Sequence, residues 1–169
     1  MTYFQLFEIP VQLKVDRTAL SKKFFELSRT YHPDFFTNES DEKQAEVLEK
    51  SAILNKAWKT FQSSDATIKY VLMEKKLLEE EEKYELPPAF LMEVMDINEL
   101  LMDTDDAEAT KNIQQTIDNL QAEIYETVVK TVEEYKEGVT TEAELLQVKD
   151  YYYKKKYLDR IRQQLAGMA

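Results

Sequence analysis

With 169 residues, 43% hydrophobic and 33% charged, the chain has apolar material for one ordinary domain or two small ones, which excludes wholesale disorder. Two glycines and four prolines favour a few long helices over many short strands, and the lack of cysteine excludes disulfides, thiolate nucleophiles and cysteine-bound metal. The net charge of −11 argues against a nucleic-acid ligand, and residues 76–169 carry all of it, because residues 1–75 balance 11 basic against 11 acidic side chains.

Met1-Thr2-Tyr3-Phe4 lacks the basic-then-apolar pattern of a signal peptide, and no apolar run approaches the ~18 residues of a membrane span. A soluble, cytoplasmic protein without membrane partners is expected. Phe4, Leu6 and Phe7 in a short N-terminal turn can cover a helix pair. Leu20, Phe24, Leu27 and Tyr31 recur at i, i+4, i+7 and i+11, one stripe of a helix with Asp16 as N-cap. Pro33 ends that helix, since the residue before proline is pushed out of the α region. After a loop from about His32 to Glu39, Ser40 with Asp41 and Glu42 opens a second helix, lined by Val47, Leu54, Trp58 and Phe61. The two stripes predict an antiparallel hairpin. A shorter helix is predicted from Asp65 to about Leu78.

Glu79 to Glu82 and Pro87-Pro88 mark a boundary, a like-charge run followed by helix breakers. This divides the chain into residues 1–78, a linker over 79–87 and residues 88–169. The glutamates themselves read as the solvated end of a helix. Three helices are predicted beyond the linker. The first spans about Pro88 to Asp103. Asp105-x-x-Glu108 resembles a capping box for the second, with Ile113, Ile117, Leu120, Ile124 and Thr131 inward and Gly138 as its stop. Thr141-x-x-Glu144 opens the third, with Val148, Tyr151, Leu158, Ile161 and Leu165 inward. The fold class is therefore all-α, a helical hairpin plus a C-terminal three-helix bundle.

His32-Pro33-Asp34 is the most specific motif. Proline stiffens the turn, so an imidazole and a carboxylate project from it, and Asp34 can offer two acceptor oxygens to an arginine fork. The local alternative has Asp34 accepting backbone N–H groups and His32 packing on Tyr31. His32 is the only histidine and has no second soft ligand, so neither a metal site nor a catalytic group is read here. Lys22, Lys23 and Arg29 stand opposite the apolar stripe, either as a basic docking face or as solvated residues with a Lys22–Glu26 pair. On the helix from Pro88, Phe90, Val94, Ile97 and Leu101 form one stripe. Leu91, Met92, Met95 and Met102 lie on the other side beside Asp96, Glu99 and Asp103. That second face is a contact surface, or it packs under the first module or at a dimer contact. Tyr151 to Tyr157 alternates rings and lysines, but on a helix these point all round, so packed tyrosines are preferred to a nucleic-acid groove. No phosphate loop, nucleophile–base pair or cofactor motif is present, which argues against an enzyme.

Tyr31-His-Pro-Asp, a loop, and a helix containing Asn55-Lys56-Ala57-Trp58 resemble the J-domain. Tyr3-Phe4-x-Leu6-Phe7, Phe90-Leu91-Met92-Glu93 and Tyr157-Leu158-Asp159 extend the likeness along nearly the whole chain to the HscB-type co-chaperones. The glycine/phenylalanine linker and zinc modules of generic J-proteins are absent. The resemblance implies that His32, Pro33 and Asp34, with Lys22, Lys23 and Arg29, engage a 70-kDa heat-shock chaperone (HscA- or DnaK-like) and stimulate its ATPase. It further implies that Leu91, Met92, Met95, Asp96, Glu99, Asp103 and Tyr157 contact an iron–sulfur scaffold protein (IscU-like), as a monomer or weak dimer with no cofactor of its own. A different client of the bundle is the alternative. Many J-domains carry lysine after the tripeptide; here Phe35 removes that charge, whereas Phe36 matches the HscB pattern.

Overall fold

The computed structural model describes residues 1–103 and 106–167, and every regular element among them is helical. Thr2 and Gln5 cap each other's backbone to start α1 (Tyr3–Leu6). The Asp16 carboxylate accepts the Thr18 and Ala19 N–H groups at 3.0 and 3.2 Å, opening α2 (Arg17–Thr30) as expected. A 3-10 turn (Pro33–Phe36) follows, and the Ser40 hydroxyl caps α3 (Asp41–Phe61) through the Lys43 N–H at 3.2 Å. Phe24 stacks on Trp58 with ring centroids 4.7 Å apart, and Lys50 lies 5.2 Å over the Tyr31 ring. These pairings run in opposite directions along the chain, so α2 and α3 form the predicted antiparallel hairpin. Leu20, Leu27, Val47, Leu54, Ala57 and Phe61 are buried along it. Tyr3 of α1 stacks on Tyr70 at 4.2 Å, and Phe4 and Phe7 each meet Phe61 at 5.3 Å, closing the open side.

Ser63 caps α4 (Ser64–Glu74), which begins one residue before the predicted start and stops four residues before the predicted end. The cause is local. Lys76 adopts φ 59°, with its N–H donating to Met73 O and the Leu77 N–H to Leu72 O, both at 2.9 Å. That is the Schellman arrangement, in which glycine is the usual residue because it has no Cβ to clash. Lys76→Gly is expected to stabilise the fold by about 0.5–1 kcal/mol, since relief of the left-handed strain exceeds the entropy added to the unfolded chain. A urea titration followed by far-UV circular dichroism measures the shift, and a destabilised variant would contradict the assignment.

The second module consists of α5 (Pro88–Met102), α6 (Ala107–Glu126), α7 (Val129–Glu134) and α8 (Glu142–Gly167). The Asp105 end of the expected capping box lies outside the described residues; among these, Asp106 caps α6 through the Ala109 N–H at 2.7 Å. The middle helix of the bundle is divided. The β-branched run Thr127-Val128-Val129 interrupts it, and the Thr127 hydroxyl donates to Ile124 O at 2.7 Å. The interruption shifts the register, so Val128 and Val132 are buried where Thr131 was expected, and Thr131 is only half-buried. The helix stops at Glu134, with Tyr135 already extended, so Gly138 at φ 78° turns the loop that follows and is not the helix stop that was expected. The Thr141–Glu144 capping box forms with both backbone bonds at 3.1 Å.

One apolar core runs without interruption from Phe4 to Leu165, through both modules. α4 packs on α8, where the Lys155 ammonium lies 2.5 Å from Asp65 and 3.0 Å from Asp159. Burial opposes the charge on Lys155, yet the two carboxylates hold it above the ordinary lysine range. Lys14 pairs with Glu133 at 3.2 Å, and Lys75 pairs with Glu137. The segment over 79–87 lies along this body as a strap. Glu80 meets Lys69 at 2.8 Å, Glu82 meets Lys149 at 2.7 Å, and the Tyr84 hydroxyl donates to Asp150 at 2.7 Å while its ring stacks on Tyr153. Tyr151 and Tyr152 are buried, and Lys154 and Lys155 are ion-paired, so the tyrosine–lysine tract is spent on packing.

Candidate functional site

Two surfaces remain outside this packing. The first is the tip of the α2–α3 hairpin. His32 caps the 3-10 turn with its own ring, Nδ1 accepting the Asp34 N–H at 3.2 Å, and the Phe35 N–H donates to His32 O at 3.1 Å. Gln44 of α3 pins the far side of the loop, donating to Thr37 O at 3.1 Å and Glu39 O at 2.9 Å. The turn is thus held from both ends while its functional groups stay in water: the His32 and Asp34 side chains are 53% and 84% exposed. Among the described residues no backbone N–H donates to the Asp34 carboxylate, and His32 Nδ1 lies 3.6 Å from it. The local alternative is therefore reversed. Histidine serves the backbone, packing edge-on to Phe35 rather than on Tyr31, and the carboxylate faces solvent.

Lys22 and Arg29 are exposed on the outer side of α2, and neither makes an ion pair among the described residues, so the Lys22–Glu26 pair does not form. Lys23 differs from them. It bends to Glu8 at 2.9 Å, and that hydrogen bond holds its ammonium above the usual lysine range. Glu8 sits just past α1 at φ 56°, a placement that helical periodicity could not foresee.

The second surface is the outer side of α5. Phe90, Val94, Ile97 and Leu101 are buried against the bundle as expected. Leu91, Met92, Met95 and Met102 are exposed opposite them, together with Asp96, Glu99 and Asp103, none of which makes an ion pair among the described residues. This face therefore packs neither under the first module nor against the other helices. Tyr157 is half-buried, its ring meeting Phe90 edge-on at 6.3 Å, and it lines a hollow of about 430 Å³ with Leu101, Met102, Arg160 and Ile161. Two residues were missed by sequence reasoning. Leu100 is exposed at the Asp96 edge of the patch, and Arg160 stands one turn beyond Tyr157. The i, i+4 spacing from Asp96 and the i, i+3 spacing from Tyr157 were the available signals. No group of three or more His, Asp or Glu converges to hold a metal among the described residues.

The helical body thus offers a pinned His-Pro-Asp turn at one place and a methionine-rich, acidic face at another. Comparisons with known proteins give its family. Residues 86–166 match the family described as the HSCB C-terminal oligomerisation domain. A co-chaperone protein HscB homolog of Vibrio parahaemolyticus is 30% identical over 145 residues, covering 85% of each chain. Another, of Photobacterium profundum, is 27% identical over 166 residues, covering 98% of this chain and 95% of its own. The crystal structure of human co-chaperone protein HscB superposes with a TM-score of 0.79 at 26% identity, covering 98% of this chain and 81% of that one. The chaperone HscB from Vibrio cholerae shares the fold, with a TM-score of 0.75 at 23% identity. The chain belongs to the HscB co-chaperone family.

Proposed function

We propose that this co-chaperone stimulates the ATPase of a 70-kDa heat-shock chaperone through the His32–Asp34 turn and brings it an iron–sulfur scaffold protein held on the outer face of α5. The observation that carries the reading is the solvent-exposed Asp34 carboxylate on a turn pinned from both sides. A carboxylate already oriented by its backbone loses little freedom when an arginine fork closes on it, and the bond formed is charge-assisted. Lys22 and Arg29 supply the cations that meet an acidic partner surface. On the other module, Leu91, Met92 and Met95 offer adaptable apolar contacts, and Asp96, Glu99 and Asp103 bias the choice toward a partner with basic residues. Residues 1–78 thus serve the ATPase and residues 88–169 the scaffold. Joining them turns a three-body encounter into an intramolecular one with high effective concentration.

The scaffold half is tested with the full-length chain. Replacing Leu91, Met92 and Met95 together by alanine is expected to weaken scaffold binding about 30-fold or more in calorimetric titration, as expected for a cluster of anchor residues. Stability should change by less than about 1 kcal/mol, because all three side chains already face water. Unchanged scaffold affinity would transfer the bundle to a different client, and a large loss of stability would make these residues core.

A further inference from the structure

The chain has eight phenylalanines, ten tyrosines and one tryptophan, and of these nineteen rings only Phe25 and Phe35 are exposed. They are 63% and 72% accessible; every other ring is partly or fully buried. Isolated apolar side chains on a surface are ordinary. That both exposed rings fall on α2 and the turn that follows it is not.

Phe35 lies in the turn at the hairpin tip, and Phe25 on the helix that leads to it. Phe25 follows Lys22 by three residues and precedes Arg29 by four, so at about 100° per residue the three share the outer side of α2. His32 continues that line, seven residues after Phe25, where the chain leaves the helix. Phe35 lies on the other side of the turn, its ring edge-on to the imidazole at 5.9 Å and its N–H tied to His32 O. The surface thus combines two rings, two unpaired cations, an imidazole and a carboxylate. With Lys23 turned to Glu8, its positive charge is small and its apolar content large. Rigid aromatic side chains are the commonest anchors of protein interfaces, because they desolvate much area at little entropic cost.

We infer that Phe25 and Phe35 are apolar anchors of the contact with the 70-kDa heat-shock ATPase, which receives them in apolar recesses bordered by acidic residues. The inference rests on the co-chaperone reading above and adds the chemistry of the partner's receiving surface. A contact anchored in this way depends less on salt than one made chiefly of ion pairs.

The test titrates the full chain into a purified 70-kDa heat-shock ATPase of the same organism and reads ATP turnover at about 50 and 300 mM KCl, on either side of physiological screening. Phe25→Ala and Phe35→Ala are each expected to raise the half-maximal concentration about tenfold while the maximal rate survives, the behaviour of anchors outside the activating turn. Phe35→Lys is expected to make stimulation more salt-sensitive than in the unsubstituted chain. Circular dichroism confirms folding, which these exposed positions should not disturb. Unchanged half-maximal concentrations in both alanine variants, with His32→Gln inactive, would overturn this inference and leave the co-chaperone reading standing. Full stimulation by His32→Gln would instead overturn that reading. Loss of self-association by sedimentation, with stimulation unaltered, would assign the rings to a second copy and also overturn the inference.

Discussion

Asp34→Asn is expected to leave the protein folded and to remove the proposed stimulation of the partner ATPase. The substitution keeps the shape but deletes the charge and turns one acceptor oxygen into a donor amide, and among the described residues the carboxylate accepts no backbone N–H that folding needs. Stability should therefore shift by no more than about 0.5 kcal/mol, as for other surface replacements. A hydrogen bond to a charged group contributes about 1.5–3 kcal/mol, so an arginine fork that loses its carboxylate loses roughly ten- to a hundred-fold in affinity. Under the proposed role the Asp34 contact acts in the activated complex and not in the first encounter, so the loss should fall on the maximal rate, and raising the co-chaperone concentration should not restore it. His32→Gln acts one step earlier. It removes the ring nitrogen that holds the Asp34 N–H at 3.2 Å, so the turn loses its shape as well as its imidazole. Scaffold binding, made on the other module, should survive both changes. A single-turnover ATPase assay decides the matter, and normal stimulation by folded Asp34→Asn would refute the role given to the turn.

The largest loss of stability is expected from Phe61→Ala. Phe61 is fully buried at the end of α3, with Phe4 and Phe7 at 5.3 Å and Tyr3 edge-on at 6.4 Å. Removing the ring deletes its transfer energy and leaves a cavity among side chains from two helices, a cost of about 3–5 kcal/mol. For a chain of this size that corresponds to a fall of about 10 °C or more in melting temperature by calorimetry. A cost below about 1.5 kcal/mol would mean that α1 collapses into the space, and that it rests on the hairpin more loosely than the aromatic packing implies.

The features that the sequence revealed are those decided by a few adjacent residues. Asp16, Ser40 and the Thr141–Glu144 pair act as caps where a side-chain oxygen precedes an apolar repeat, and each is found in that role. The inner stripes of α2, α5 and α8 were equally legible, because burial follows the helical period. The divergences have non-local or conformational causes. Nothing in the pattern around Lys76 announces a left-handed residue, so α4 was drawn too long. The stripe through Ile113 and Ile124 extrapolates smoothly past Thr127, and only the interruption there exchanges Thr131 for Val128 and Val132. At the candidate sites the projecting groups of the turn and the outer α5 residues were readable. The diversion of Lys23 to Glu8, fifteen residues away in the chain, was not. The rings of Phe25 and Phe35 were passed over for a related reason: hydrophobicity predicts burial, and their exposure is a property of the assembled hairpin.

The strap over 79–87 and the Lys155 junction bear on how such an adaptor works. With Tyr84 stacked on α8, Lys155 held between Asp65 and Asp159, and a single core beneath them, the chain packs its two halves as one body among the described residues. It is a ruler more than a tether. Under the proposed function, the spacing between two guests is written into the folded body, and a guest seated on one end would arrive at the other already aimed.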